Sequence, residues 1–360
     1  MTAASKLLFL ALCFALWASC ASYQQTTQDD DYNTTESVAP PFIKKIDTVA
    51  CGKQPKQVIF SPDDECIALP LLDDAGFQII NTADKTLRTI NPPQAEKKGF
   101  AEGLFVPQKK AFFVSQMTTG RLYEYEYPSF AFRREIKCGG LWSKFIAWSE
   151  EKQLIAVSNW VSATVTLIDY AAGDVVLTIK TKAAPRGLAF VESGESIIVL
   201  CFDGGAIQKF DTATGALLAS VSTGYTAMRH IVLNKDETVA YVSNMHHCAV
   251  YELNLASFAI TRTMPVPVNP NTIVLYKNRW LFVSSRGPNN KVDYTKRSPL
   301  NGNITLIDTK EWKVVQAVEG GNQPTGLDVS HSGKYLCSSN FQDENVDIYE
   351  IIRGNTTSGK

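Results

Sequence analysis

The chain has 360 residues, with 35 Lys and Arg against 36 Asp and Glu, a net charge of −1, and 45% hydrophobic residues. That balance argues against a general nucleic-acid binder with a basic surface and against a polybasic membrane-surface protein. The apolar share leaves ample material for one large β-rich core.

Residues 1–20 open the chain as a leader. A single Lys at position 6 precedes an apolar run from Leu7 to Trp17, which ends in Ala18-Ser19-Cys20. This reads as a secretory signal with a small-residue cleavage site, because the run is too short to span a bilayer. The ending is similar to bacterial lipoprotein signals, with Trp17 where Leu is usual. That resemblance implies lipidation at Cys20, a membrane anchor and export to the cell envelope. An ordinary signal with an incidental Cys20 is the alternative. Residues 21–41 follow, with Asp29-Asp30-Asp31 and Asn33-Thr34-Thr35-Glu36, and hold almost nothing that could be buried. They are predicted to form a disordered tether.

From residue 42 onward the chain repeats itself. Arg186-Gly187-Leu188-Ala189-Phe190, Arg229-His230-Ile231-Val232-Leu233, Asn271-Thr272-Ile273-Val274-Leu275 and Thr325-Gly326-Leu327-Asp328-Val329 are variants of one run. A second run recurs as Ile155-Ala156-Val157-Ser158-Asn159 and Ala240-Tyr241-Val242-Ser243-Asn244. Aligning the first runs at Gln57, Gly103, Phe145, Gly187, His230, Thr272 and Gly326 gives steps of 46, 42, 42, 43, 42 and 54 residues. A period of about 40–45 residues with four short β segments per unit predicts propeller blades. Runs such as Ile197-Ile198-Val199-Leu200 suit inner strands covered on both faces. No helical stripe recurs, as a helical solenoid would require.

The last unit lacks its fourth strand. Phe42 to Val49 stands ahead of the first unit where other fourth strands, such as Val175 to Ile179, stand ahead of theirs. The prediction is therefore an all-β, seven-bladed β-propeller of four-stranded blades over residues 42–352. It is closed by an N-terminal strand in the C-terminal blade, and residues 353–360 form a polar tail. Closure removes exposed sheet edges.

These repeats resemble the YVTN-type seven-bladed propellers, including the YncE-like proteins. Pro185-Arg186-Gly187-Leu188-Ala189-Phe190, the Val-Ser-Asn ends at 157–159 and 242–244, Thr305-Leu306-Ile307-Asp308-Thr309 and Asp211-Thr212-Ala213-Thr214-Gly215 carry the likeness. It implies the architecture and leaves the activity open, because this fold hosts enzymes, binding platforms and cofactor carriers.

Beyond the leader, Cys51, Cys66, Cys138, Cys201, Cys248 and Cys337 fall in different blades. Their repeat register separates them beyond bridging distance, so they read as small buried hydrophobes. Met245-His246-His247-Cys248 does not read as a metal site, because neighbours in an extended segment point apart. No metal and no cofactor is expected.

Repeat symmetry converts sequence positions into a site. The residues that open the first runs, Lys56, Glu102, Lys144, Arg186, Arg229, Asn271 and Thr325, should converge at the mouth of the central channel. Lys56, Lys144, Arg186 and Arg229 would then form a basic ring with Glu102 as its lone acid, suited to a carboxylate or phosphate. These cations could instead pair with Asp73, Asp74, Asp203 or Asp343. The loops after the second strands bring Trp160, Phe202, His246 and Phe341 to the same face, either as anchors for a partner or packed sideways. Residues 286–303, starting at Arg286, lengthen one such loop and add Lys291, Lys296 and Arg297.

The candidate ligand-binding set is Lys56, Lys144, Arg186, Arg229, His230, Trp160, Phe202, His246, Arg286 and Phe341. The leading expectation is a monomeric cell-envelope lipoprotein whose loop face binds an envelope protein, a peptide or an acidic small ligand. A second reading is a hydrolase. Met228-Arg229-His230-Ile231 resembles the Arg-His pair of the propeller lactonases, and Glu102 and Arg186 would complete a set around a lactone. A third, implied by the YncE-like resemblance, is binding of single-stranded DNA. Trp160, Phe202 and Phe341 beside Lys144 and Arg186 permit it without demanding it.

Overall fold

Seven antiparallel sheets of four strands each form the blades of a β-propeller. The computed structural model describes residues 39–93 and 98–353. The leader, Cys20, nearly all of the tether and the tail beyond 353 lie outside the described residues. The only helical piece among them is one turn of 3₁₀ helix at Pro107–Lys109. No described helix is long and apolar enough to cross a membrane.

Burial follows strand position. The second strand of blade 4, Ser196–Cys201, is buried throughout, whereas its fourth strand, Leu217–Ser222, alternates between exposed and half-buried residues. The core lies between neighbouring blades. Ile198, Leu200 and Ile207 of blade 4 pack against Met228, Ile231, Val242 and Tyr251 of blade 5. Between blades 1 and 2 the filling is aromatic, with Phe77 against Phe112 and Tyr125 at ring separations of 5.1 and 5.0 Å. Each sheet therefore finds its missing partner in the next blade.

The ring closes as expected. Phe42–Ala50 pairs antiparallel with Asn345–Ile352, from Phe42 opposite Ile352 to Ala50 opposite Asn345. Blades 1 and 7 also exchange carboxylates across the seam. Asp328 accepts the Phe60 N–H at 2.8 Å, and Asp64 accepts the His331 and Ser332 N–H groups, each at 2.7 Å. The two first strands come close together there. A Cβ on Gly326 would lie 2.5 Å from the Val58 nitrogen, which no side chain tolerates.

Antiparallel pairing defines two ends of the ring. First strands begin and second strands finish at the end called here the mouth. Phe42 and Ile352 lie at the opposite end.

Candidate functional site

A recurrent backbone device builds the mouth. In blade 4 the pairing runs from Pro185 opposite Cys201 to Leu188 opposite Val199, so Arg186 and Gly187 together face Leu200. Blades 2, 3, 5, 6 and 7 slip at the same place, around Glu102, Lys144, Arg229, Asn271 and Thr325. An extra residue on one strand redirects the side chain beside it. Two residues earlier the backbone turns left-handed at Gln54, Trp142, Ala184, Ala227, Asn269 and Gln323, with φ between 53° and 68°. None is a glycine, so each costs about 1–3 kcal/mol, as do similar residues such as Asp64, Gln153 and Glu237 in turns at the opposite end.

Serines on the second strands fix these bulges. Ser243 Oγ accepts the His230 N–H at 3.1 Å and donates to the Asn271 carbonyl of the next blade at 2.6 Å. Ser284 does the same for Thr272 and Thr325, and Ser115 for Glu102 and Lys144. The recurring Val-Ser-Asn run carried this signal, although its meaning lies in the contact between blades.

The predicted basic ring assembles. Lys56 is half-buried, and its pKa is pushed well below the usual lysine value. Desolvation is the main cause, followed by the charges of Arg229, Arg286, Arg186 and Lys144. Lys144 is lowered in the same way by desolvation and then by Arg186 and Arg229, with Glu102 and Asp203 opposing. Burial, chiefly, and then Arg186 lower Arg229, while burial brings Arg286 down to about 10. Arg286, from the long loop, thus completes a group of five cations.

Their counter-charge is sparse. Arg186 pairs with Glu102, both nearly fully buried. The other acids are engaged elsewhere or stand apart. Asp73 pairs with Lys98 at 3.1 Å, Asp343 pairs with Arg297, Asp74 accepts the Lys53 N–H, and Asp203 is exposed. Among the described residues no acid lies at ion-pairing distance from Lys56, Lys144, Arg229 or Arg286. One buried guanidinium nitrogen of each of Arg186, Arg229 and Arg286 lacks any hydrogen-bond partner, as do His230 Nδ1 and Asn271 Oδ1. His230 is lowered to about 3 by burial and by Arg229 and Arg186, so it is neutral at physiological pH.

The aromatic residues divide. The Lys144 ammonium sits 3.8 Å from the Trp160 ring centre and 5.1 Å from that of Trp142, and Trp160 meets Phe202 at 4.7 Å. Phe341 is buried beneath Lys56 and Arg286, each 5.0 Å from its ring centre. It is a floor under the cations and not an anchor a partner could touch, because it packs sideways and not outward. His246, in the mouth-end loop after Val239–Asn244, is exposed and hydrogen-bonded to Thr226. Its neighbour His247 stacks on Tyr225 at 3.9 Å and bonds Tyr251 at 2.6 Å. All six cysteines outside the leader are free; Cys51 and Cys248 are half-buried, unlike the four buried ones.

The 286–303 loop is pinned down. Ser298 and the Asn322 side chain exchange hydrogen bonds at 2.9 and 3.1 Å, and Gln323 donates to the Tyr294 carbonyl at 3.0 Å. Gln342 bonds the Thr295 carbonyl, and Arg297 pairs with Asp343. The loop is a fixed wall of the mouth.

Fold and mouth together define a seven-bladed β-propeller with a cation-lined channel. Residues 206–360 match the family model described as a lactonase, 7-bladed beta-propeller. Arg229 and His230 fall within that match, and Glu102 and Arg186 outside it. Over 325 residues the chain is 30% identical to antigen Lp49 of Leptospira interrogans serogroup Icterohaemorrhagiae serovar copenhageni, covering 87% of this chain and 70% of that protein. The chain belongs to the same protein family as this antigen.

Proposed function

We propose that the protein is an exported, lipid-anchored cell-envelope platform with YVTN-type repeats, and that its channel mouth binds an anionic ligand. One observation carries the anion reading: a buried guanidinium nitrogen of each of Arg186, Arg229 and Arg286 has no acceptor. Buried donors are nearly always satisfied. A carboxylate or phosphate supplies acceptors and charge at once.

The chain ends fit an anchored platform. Phe42 lies at the end opposite the mouth. A relative named as an antigen fits a surface-exposed location.

The test is calorimetric titration with citrate and with inorganic phosphate at low salt. Arg229→Met should abolish binding without lowering the melting temperature, because it removes a buried, unpaired charge. Undiminished binding in that variant would sink the proposal.

A second reading is lactone hydrolysis. The convergence of Glu102, Arg186, Arg229 and neutral His230, with the partial lactonase-family match, favours it. Turnover of sugar or homoserine lactones that His230→Ala removes would support it; a silent lactone panel would end it.

A further inference from the structure

The channel is only the centre of a wider surface. Among the described residues, every large apolar side chain exposed outside a strand belongs to a loop at the mouth end. The others, such as Val176 and Leu218, lie within strands. On the blade 3 side stand Leu141, Trp142 and Val161, exposed by 63, 45 and 54%. On the blade 6 side, three steps around the ring of seven, the 286–303 loop presents Val292, Tyr294 and Leu300, exposed by 84, 58 and 64%. The two patches therefore flank the cations.

Both patches are held rigid. The Val161 and Trp160 N–H groups bond the Leu141 and Trp142 carbonyls at 3.2 and 3.1 Å, and Ser162 accepts the Leu141 N–H at 2.8 Å. The opposite loop has the anchors to Asn322, Gln323 and Asp343 given above. Rigid, exposed apolar groups around a polar centre mark an interaction surface that has already met its ordering cost.

A small anion would fill the channel and leave this rim bare. A second copy meeting mouth to mouth would bring five cations against five. Trp142, Tyr225 and Tyr294 offer faces on which bases could stack, but Leu141, Val161, Val268, Val292 and Leu300 are aliphatic and a nucleic acid would leave them bare. We infer that the natural occupant is an acidic polypeptide segment, whose carboxylates enter the channel while interspersed apolar side chains cover the rim. This rests on the anion reading above and names the partner class.

The experiment uses the full chain and a labelled peptide alternating glutamate with leucine, read by fluorescence anisotropy. A glutamate–serine peptide, an oligodeoxythymidine and citrate are the comparisons. The Glu–Leu peptide should bind about tenfold more tightly than the Glu–Ser peptide, a difference of about 1.4 kcal/mol. Citrate should displace it. The double variant Val292→Ser, Leu300→Ser should shrink the difference while leaving the citrate titration unchanged, which also shows that it folds. Equal affinity for the two peptides, an intact preference in the double variant, or tighter binding of the oligonucleotide would overturn the inference while leaving the anion site standing. Self-association that occupies the mouth in the absence of peptide, measured by sedimentation, would also overturn it. Failure of citrate itself to bind would remove the anion reading beneath it.

Discussion

Arg186 and Glu102 form a buried ion pair although they lie 84 residues apart and a whole blade stands between them in the ring. The pair crosses the channel mouth and neutralises one of its five cations. Glu102→Gln should separate its two roles. Without its carboxylate, buried Arg186 loses its partner, so stability should fall by about 3 kcal/mol. The remaining cations should bind anions more strongly, by at least about tenfold, since a like charge to the ligand has been removed. Added citrate should then restore much of the lost melting temperature through mass action. Weaker citrate binding in a folded Glu102→Gln protein would refute this.

The mouth should respond to pH in two opposed ways. Lys56 and Lys144 are lowered well below the ordinary lysine range, and Arg286 to about 10. In the folded protein these groups therefore lose their protons before their unfolded counterparts. Where that happens the unfolded chain binds more protons, so their contribution to stability rises with pH. Anion affinity moves the other way, because each lost proton is a lost positive charge. Calorimetric citrate affinity should fall with rising pH in the window below the ordinary lysine pKa of about 10.4. A flat affinity across that window would show that the lysines keep their charges or do not face the ligand.

How far the site could be read in advance depended on symmetry. Lys56, Lys144, Arg186 and Arg229 share one repeat position, and a ring carries one position in every unit to one place. The same logic identified Phe42–Ala50 as a displaced fourth strand, and runs such as Ile197–Leu200 as buried on both faces. Arg286 as a full member of the cluster, and Phe341 as its floor, were not legible in that way. Both depend on how a long loop settles on the neighbouring blade, through the Gln323 and Phe341 contacts.

Ser243 gives a test of the stitching between blades. Its hydroxyl serves the His230 N–H and the Asn271 carbonyl together. Ser243→Ala strands both buried groups at a cost of about 1–3 kcal/mol. The loosened bulge carries Arg229, so citrate affinity should drop along with the melting temperature, although Ser243 carries no charge. Lost stability with unchanged affinity would mean that the bulge holds its shape without the serine.

The latch between the chain ends offers the last prediction. Phe42–Ala50 is the outer strand of blade 7 and covers the edge of Asn345–Ile352. Deleting residues 42–50 strips that edge of its partner, and an open edge is a template for aggregation. The deletion should yield aggregated or unfolded protein. The register also supplies a rescue. Phe42 lies opposite Ile352, so the two strands are already in hairpin alignment at the end away from the mouth. Moving residues 42–50 to follow Ile352 through a short Asn-Gly turn would make blade 7 continuous. That permuted chain should be soluble and monomeric, although its new ends, Ala50 and Cys51, lie at the mouth end beside Asn345 and Glu344. A soluble deletion variant with an unchanged melting temperature would show that the N-terminal strand is dispensable. A permuted chain that aggregates would show that the strand needs more than its place in the sheet.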